Sequence, residues 1–247
     1  MSNASTDKPG TLPAPAEAVE AVKTEARVGN AFLRVHGRRL LLVFAGLLLP
    51  LWGYGELVDH LRDGEVFAFD QPGLEVAHAM ASAGYDRLFI AMSALGYLYG
   101  VVPIDILLVL GLAIRRHFRA GVFVAASVVG SALLNLAAKH AYARVRPSLW
   151  NSIAPETTFS FPSGHAMGSM TLAAVVVLLC WWTRWRWIAI AVAAGFVVLV
   201  GLSRIYLGVH YPSDILAGWT AALVWTVANY GLVYSGGRRP WQGIDVA

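Results

Sequence analysis

An all-α fold, a polytopic membrane bundle of about six transmembrane helices, is predicted by three features of the sequence. Of the 247 residues, 57% are hydrophobic and only 14% are charged, which lies outside the range of a soluble globular domain. Stretches of roughly 18 or more predominantly apolar residues recur along the chain, and in hydrocarbon such a stretch must be helical to satisfy its own backbone polar groups. Lys and Arg also fall asymmetrically between the stretches, as the positive-inside rule demands of a multi-span protein.

Residues 1–33, rich in Pro, Ala, Ser and charge without apolar period, are expected to form a flexible cytoplasmic tail. The membrane domain is expected over 34–236, with spans near Leu40–Leu57, Leu88–Ile114, Ala120–Ala138, His165–Trp182, Trp187–Arg204 and Ser213–Tyr234, and a short cytoplasmic tail over 237–247. Leu40–Leu57 lies too far into the chain, and lacks a convincing cleavage site, for a removable signal, so it reads as an anchor. With the N-terminus inside, the inner face receives Lys8, Lys23, Arg27, Arg34, Arg38, Arg39, Arg115, Arg116, Arg119, Arg184, Arg186, Arg238 and Arg239. The outer face receives only Arg62, Arg87, Lys139, Arg144, Arg146 and Arg204, which places both termini in the cytoplasm. The net charge of +4 is thus a topology signal, with no nucleic-acid patch in it. Cys180, the only cysteine, excludes an internal disulfide and a cysteine-based metal cluster. Trp52, Trp150, Trp187 and Trp219 sit near span ends, where interfacial anchoring and ordinary packing are equally good explanations. The segment Val66–Phe89 has aromatics without a clean spanning run and reads as re-entrant or interfacial.

Three segments deliver polar groups to the outer face. In "KHAYARVRP", Lys139 and Arg146 are nearly two helical turns apart, so a helix continuing that far carries both on one stripe as an anion clamp; interfacial anchoring is the alternative. In "FPSGHAMGSM", Pro162 suits the first helical turn, Ser163 can cap, Gly164 lets the backbone approach a ligand, and the free amides form an anion site beside His165. A capped helix start with an incidental histidine explains the same residues. In "SRIYLGVHYPSD", Asp214 shares a helix face with His210 if a helix begins near Tyr211 or Pro212, and then fixes its tautomer and leaves the other nitrogen as base or nucleophile; a structural helix-start pair is the alternative. Arg204 suits bidentate phosphate contact or snorkelling to the interface.

Together, K-x-x-x-x-x-x-R-P at Lys139–Pro147, P-S-G-H at Pro162–His165 and S-R-x-x-x-x-x-H-x-x-x-D at Ser203–Asp214 resemble the three-part signature of the type 2 phosphatidic acid phosphatase superfamily. These are integral-membrane lipid phosphate phosphatases, related in their site to vanadium haloperoxidases. The resemblance implies His210 as nucleophile forming a phosphohistidine, aligned by Asp214, and His165 as general acid. It implies that Lys139, Arg146, Ser163, Gly164 and Arg204 hold the phosphate, with no metal or other cofactor, and that the partner is a lipid phosphate reached from the bilayer at the exterior face. Undecaprenyl diphosphate, phosphatidic acid and phosphatidylglycerol phosphate satisfy the motifs equally, and an outward site suits recycling of the first. A phosphotransferase with a lipid or sugar hydroxyl as acceptor shares the same intermediate, and a transporter that binds anions with the same cations is the non-enzyme alternative. The oligomeric state has no signature in the sequence.

Asp105, inside the second expected span, suggests function by its position but is expected to pair with backbone freed by Pro103 or with Asn135. Glu56 and Asp59 read as ordinary solvated acids at the end of the first span, and His140 and Arg144 border the first motif as candidates to assist binding.

Overall fold

The computed structural model describes residues 43–235, Pro240 and Trp241, together with Glu20, Lys23, Arg27, Asn30, Ala31, Arg34, Gly37, Leu40 and Leu41 further upstream. Two units divide the chain, 1–42 and 43–247. In the first, the described residues are helical. The expected tails, 1–33 and 237–247, fall largely outside the described residues.

In the second unit the described residues form eight α-helices and no strand: α1 Leu49–Arg62, α2 Asp70–Ala79, α3 Ala83–Leu95, α4 Val101–Ile114, α5 Phe118–Tyr142, α6 Gly164–Cys180, α7 Arg186–Tyr206 and α8 Pro212–Val233. A π-helical turn, Phe44–Leu48, leads into α1. Pro50 explains it, since its ring crowds the carbonyl four residues back and it has no N–H to donate there. Among the described residues three helices, α5, α7 and α8, are long and apolar enough to cross a membrane, while α4 and α6 are shorter apolar helices.

The expected spans for α5 to α8 agree with the helices to within a few residues. The second expected span does not, because Leu88–Ile114 is interrupted between Leu95 and Val101. Gly100 permits a turn there that is too tight for a side chain, since a Cβ would lie 2.2 Å from the Leu95 carbonyl oxygen. Upstream, Val66–Phe89 supplies α2 and the start of α3, with α2 packed against α7 and α8.

α6 is the central helix. Ala166, Met167, Ser169, Thr171, Leu172, Ala173, Ala174, Val175, Leu178 and Leu179 are all buried, and α5, α7 and α8 surround it. Small residues let these backbones come close without side-chain bulk between them. Outside this core the chain shows aliphatics to its surroundings: Val122, Val129, Leu133 and Leu136 on α5 and Ile188 and Val192 on α7 are exposed. In water such a continuous apolar surface is an association hazard, whereas hydrocarbon matches it. Of the four tryptophans near helix ends, Trp52 and Trp187 are exposed, whereas Trp150 stacks on His78 with ring centroids 4.2 Å apart and Trp219 abuts Gly201.

Asp105 departs from the expected pairing. Asn135 is occupied, donating from Nδ2 to the Pro162 carbonyl at 3.1 Å, and buried Asp105 Oδ1 has no hydrogen-bond partner.

Close approach of α8 to the start of α6 fixes the geometry of the site end. A Cβ at Gly218 would lie 2.8 Å from the Ser163 carbonyl oxygen and 3.1 Å from the Met167 nitrogen. Gly218→Val is expected to destabilise by about 1 to 3 kcal/mol through overpacking, and to lower activity more than an equally destabilising substitution on the lipid face. Thermal unfolding in detergent beside steady-state kinetics checks both.

Candidate active site

Four pieces of chain meet at one end of the bundle: the end of α5 with the following loop to Ser163, the start of α6, the end of α7, and the turn into α8. Each is aimed there by a local device. α5 stops at Tyr142 because Ala143 takes the left-handed conformation, φ 46°, and donates back to the Lys139 carbonyl. Beyond it the chain is no longer helical, so Lys139 and Arg146 do not share the stripe that a longer helix would give them. They converge from different directions on the loop that carries Thr158 and Phe159. Lys139 Nζ donates to the Phe159 carbonyl, and Arg146 Nε donates to the Thr158 carbonyl at 2.6 Å.

α6 begins at Gly164 with Ser163 as its N-cap, Oγ accepting from the Ala166 N–H at 3.4 Å. Pro162 therefore precedes the cap and is not in the first turn; the Phe161–Pro162 peptide is cis. Ser163 is fully buried and its N–H donates to the Asp214 carbonyl at 3.1 Å, so its polar groups shape the helix start. Among the first-turn amides, those of Gly164 and His165 have no acceptor within the helix. A Cβ at Gly164 would lie 3.2 Å from Asn135 Oδ1, so glycine there also admits the α5 side chain that holds the Pro162 carbonyl.

His210 is 1% exposed. Its Nδ1 faces Asp214 Oδ2 at 3.4 Å and its Nε2 faces Arg146 NH1 at 3.0 Å. A proton on Nδ1 therefore suits the carboxylate, and the Nε2 lone pair accepts from the guanidinium. Burial pushes the imidazole down to about 4, with Asp214 pulling the other way. Asp214 is fully buried and held by more than this histidine: Ser160 Oγ donates to it, the Tyr211 N–H donates at 2.9 Å, and Arg144 NH1 pairs with it at 2.6 Å. Arg144 spans to Asp70 Oδ2 at 2.8 Å and lies over the Tyr211 ring at 4.1 Å, so it serves protein carboxylates and does not assist anion binding as a free cation.

Arg204, 1% exposed, turns inward and does not snorkel. NH1 donates to Ser93 Oγ and NH2 to Glu156 Oε1. Glu156 Oε2 takes Arg146 NH2 at 2.7 Å, and Oε1 lies 3.8 Å from His165 Nδ1. Burial by itself would raise the Glu156 carboxyl, but Arg204, His210 and Arg146 outweigh it and hold it below the usual carboxylate range. His165 packs against Tyr97, ring centroids 5.1 Å apart, and both line a groove of about 210 Å³ with Ile90, Ala94, Leu98 and Tyr99.

Arg146, Arg204 and His165 thus gather on Glu156, Arg146 reaches on to His210 Nε2, and Asp214 holds the other nitrogen of that ring. Sequence reasoning missed Glu156, Asp70, Ser93 and Ser160. Asp70 alone carried a signal, as an acid in a first helical turn. Glu56 and Asp59 are exposed on α1, and His140 is exposed with its ring edge-on to Phe159.

Two outcomes follow. Arg144→Ala leaves Asp70 and Asp214 buried without their cation and is expected to cost about 3 to 5 kcal/mol, with Arg144→Lys a poor rescue because an ammonium lacks the planar fork; unfolding temperature and activity report both. In ring-¹⁵N-histidine-labelled protein, the signal missing from His210→Asn is expected to stay neutral down to about pH 5, well below the free imidazole value. The folded value lies below the unfolded one, so the stability contributed by neutral His210 is present above the unfolded pKa and lost as pH falls through the folded one.

Comparison with known proteins bears on the family of the chain. The sequence profile of the PAP2 superfamily matches residues 120–237. An undecaprenyl-diphosphatase of Sulfolobus acidocaldarius is 35% identical over 144 residues, 56% of this chain; the chain spans 65% of that relative, just under two thirds of its length. YbjG of Escherichia coli, a candidate undecaprenyl-diphosphatase, is 30% identical over 151 residues, 59% of this chain and 73% of its own. The crystal structure of a transmembrane PAP2-type phosphatidylglycerolphosphate phosphatase from Bacillus subtilis has the same fold, with a TM-score of 0.66 at 24% identity over 74% of this chain and 94% of that one. With the motif residues gathered at one end of a shared helical fold, and a relative matched over most of its length, this chain belongs to the PAP2 superfamily.

Proposed function

We propose that this protein hydrolyses a lipid phosphate or diphosphate through a phosphohistidine on His210. The observation that carries the reading is the convergence of His210 Nε2, Arg146, Arg204 and His165 on one point from separate chain segments. Nε2 attacks phosphorus as the bond to the leaving oxygen breaks, and His165 gives that oxygen its proton. A water then attacks the phosphohistidine, returns a proton to His165, and releases phosphate and neutral His210. Charge that develops on the nonbridging oxygens is met by Arg146, Arg204 and Lys139, and by the Gly164 and His165 amides at the α6 N-terminus. No step calls on a metal ion.

His165 serves the leaving oxygen, so the part of the substrate beyond that oxygen extends on the His165 side, where the groove of Ile90, Ala94, Leu98 and Tyr99 begins. Its lining suits a hydrocarbon chain, which favours a lipid over a sugar phosphate. The Sulfolobus relative's name points to undecaprenyl diphosphate among the lipid phosphates. We place six spans in the bilayer, with the broken α3–α4 pair together supplying one of them and the short α6 crossing within the protein core. The site faces the exterior and both termini the cytoplasm, because Arg115, Arg116, Arg119, Arg184 and Arg186 all lie at the end remote from the site.

Purified protein in detergent with a chelator is expected to release inorganic phosphate from undecaprenyl diphosphate, phosphatidic acid or phosphatidylglycerol phosphate, and His210→Ala to abolish the release. Phosphate release that survives in His210→Ala overturns the mechanism. Ala94→Trp, which narrows the groove, is expected to raise KM about tenfold for a long-chain lipid phosphate and to leave p-nitrophenyl phosphate little changed.

A further inference from the structure

The groups that should hold a phosphoryl group already hold a carboxylate. Glu156 Oε2 accepts from Arg146 NH2 at 2.7 Å, Oε1 accepts from Arg204 NH2, and the same oxygen lies 3.8 Å from His165 Nδ1. Arg146 in turn reaches His210 Nε2 at 3.0 Å. The carboxylate therefore touches both guanidiniums, sits against the general acid, and is one guanidinium away from the nucleophile. This is the neighbourhood a transferring phosphoryl group requires.

We propose that Glu156 is an intramolecular stand-in for the phosphoryl group, a competitor that substrate phosphate must displace. The proposal rests on the phosphatase reading for its choice of ligand. Three observations support it. A phosphate and a carboxylate held at the same two guanidiniums repel and compete for the same N–H donors. Glu156 has an exit, since it lies in the loop between α5 and α6 with its side chain 27% exposed, whereas Arg204 beside it is 2% exposed. The match between carboxylate and site is also incomplete: Arg204 Nε is buried without a hydrogen-bond partner. A carboxylate has two oxygens and spends both on the arginine NH2 groups, while a phosphoryl group brings a third for the remaining donor.

Displacement also explains why acidic Glu156 is tolerated at an anion site. Arg146 and Arg204 are largely desolvated, and like charges packed together without a counterion destabilise the fold. Glu156 supplies that counterion until phosphate takes it over, so part of the phosphate's binding free energy goes into expelling the carboxylate.

The test is equilibrium binding of inorganic phosphate to the full-length protein in detergent, by calorimetry or ³¹P NMR, for wild type, Glu156→Gln and Glu156→Ala, with thermal unfolding as a check on folding. Loss of the competing charge is expected to tighten phosphate binding about tenfold in both variants, equivalent to about 1.4 kcal/mol, and to lower KM for a lipid phosphate in parallel. If Glu156 instead holds the guanidiniums in their binding positions, both variants bind phosphate more weakly, which overturns the proposal, as does unchanged affinity. Binding is read apart from turnover. A protein that hydrolyses lipid phosphates without tightening in the variants loses only the role of Glu156. Tightening in a protein that hydrolyses no lipid phosphate removes the hydrolase reading and leaves the displaced carboxylate standing.

Discussion

A single buried carboxylate ties the functional end of this molecule together. Asp214, at the start of α8, receives Ser160 Oγ from the loop before α6, the Tyr211 N–H from its own helix start, Arg144 from the chain after α5, and faces His210 from the turn after α7. An ionised group this deep is tolerable only when its lone pairs are satisfied, and here the partners come from the segment between α5 and α6 as well as from the turn into α8. The requirement to satisfy one charge therefore also fixes the relative positions of those stretches. The imidazole gains its tautomer from the same arrangement, so the contacts that assemble the fold also set the protonation of the proposed nucleophile. Arg144 carries the arrangement outward to Asp70, and Asp70 accepts from the Ser213 N–H and Oγ at 2.8 and 2.6 Å, which docks α2 onto the start of α8.

Around that anchor the charges separate into two sets. Asp70, Arg144 and Asp214 are mutually paired, with side chains at most 14% exposed, and form the support. Arg146, Arg204 and Glu156 form the working set, and its one acid is also the most exposed of the three side chains. The support is closed by partners within the protein, whereas the working set keeps an unused donor on Arg204 and an acid that can leave. Preorganised donors of this kind stabilise developing negative charge without reorganising during the reaction. The surrounding helices keep the wall apolar, which strengthens each of these interactions relative to water.

Much of this was legible in the sequence, and for physical reasons. The spans of α5 to α8 follow from the length that hydrocarbon demands, and the histidines and arginines from spacing that agrees with three motifs at once. The interruption between α3 and α4 was hidden because a hydropathy run does not register a turn at Gly100, where the constraint is steric. Arg146 was misread as a helical neighbour of Lys139 because the left-handed stop at Ala143, a residue with good helix propensity, has no sequence mark. Glu156 was invisible for a related reason: it lies in an irregular loop without periodicity, and its importance comes from Arg146 and Arg204, which only the fold brings to it. Motifs name the residues that do chemistry more readily than the residues that balance their charge.

The central claim, that His210 Nε2 is the atom to which phosphorus is transferred, is tested most directly by quenching the protein during turnover of a ³²P-labelled lipid phosphate and asking where the label is bound. The account predicts an acid-labile, base-stable adduct on His210, absent in His210→Ala. An acid-stable adduct, or label retained by His210→Ala, would contradict it.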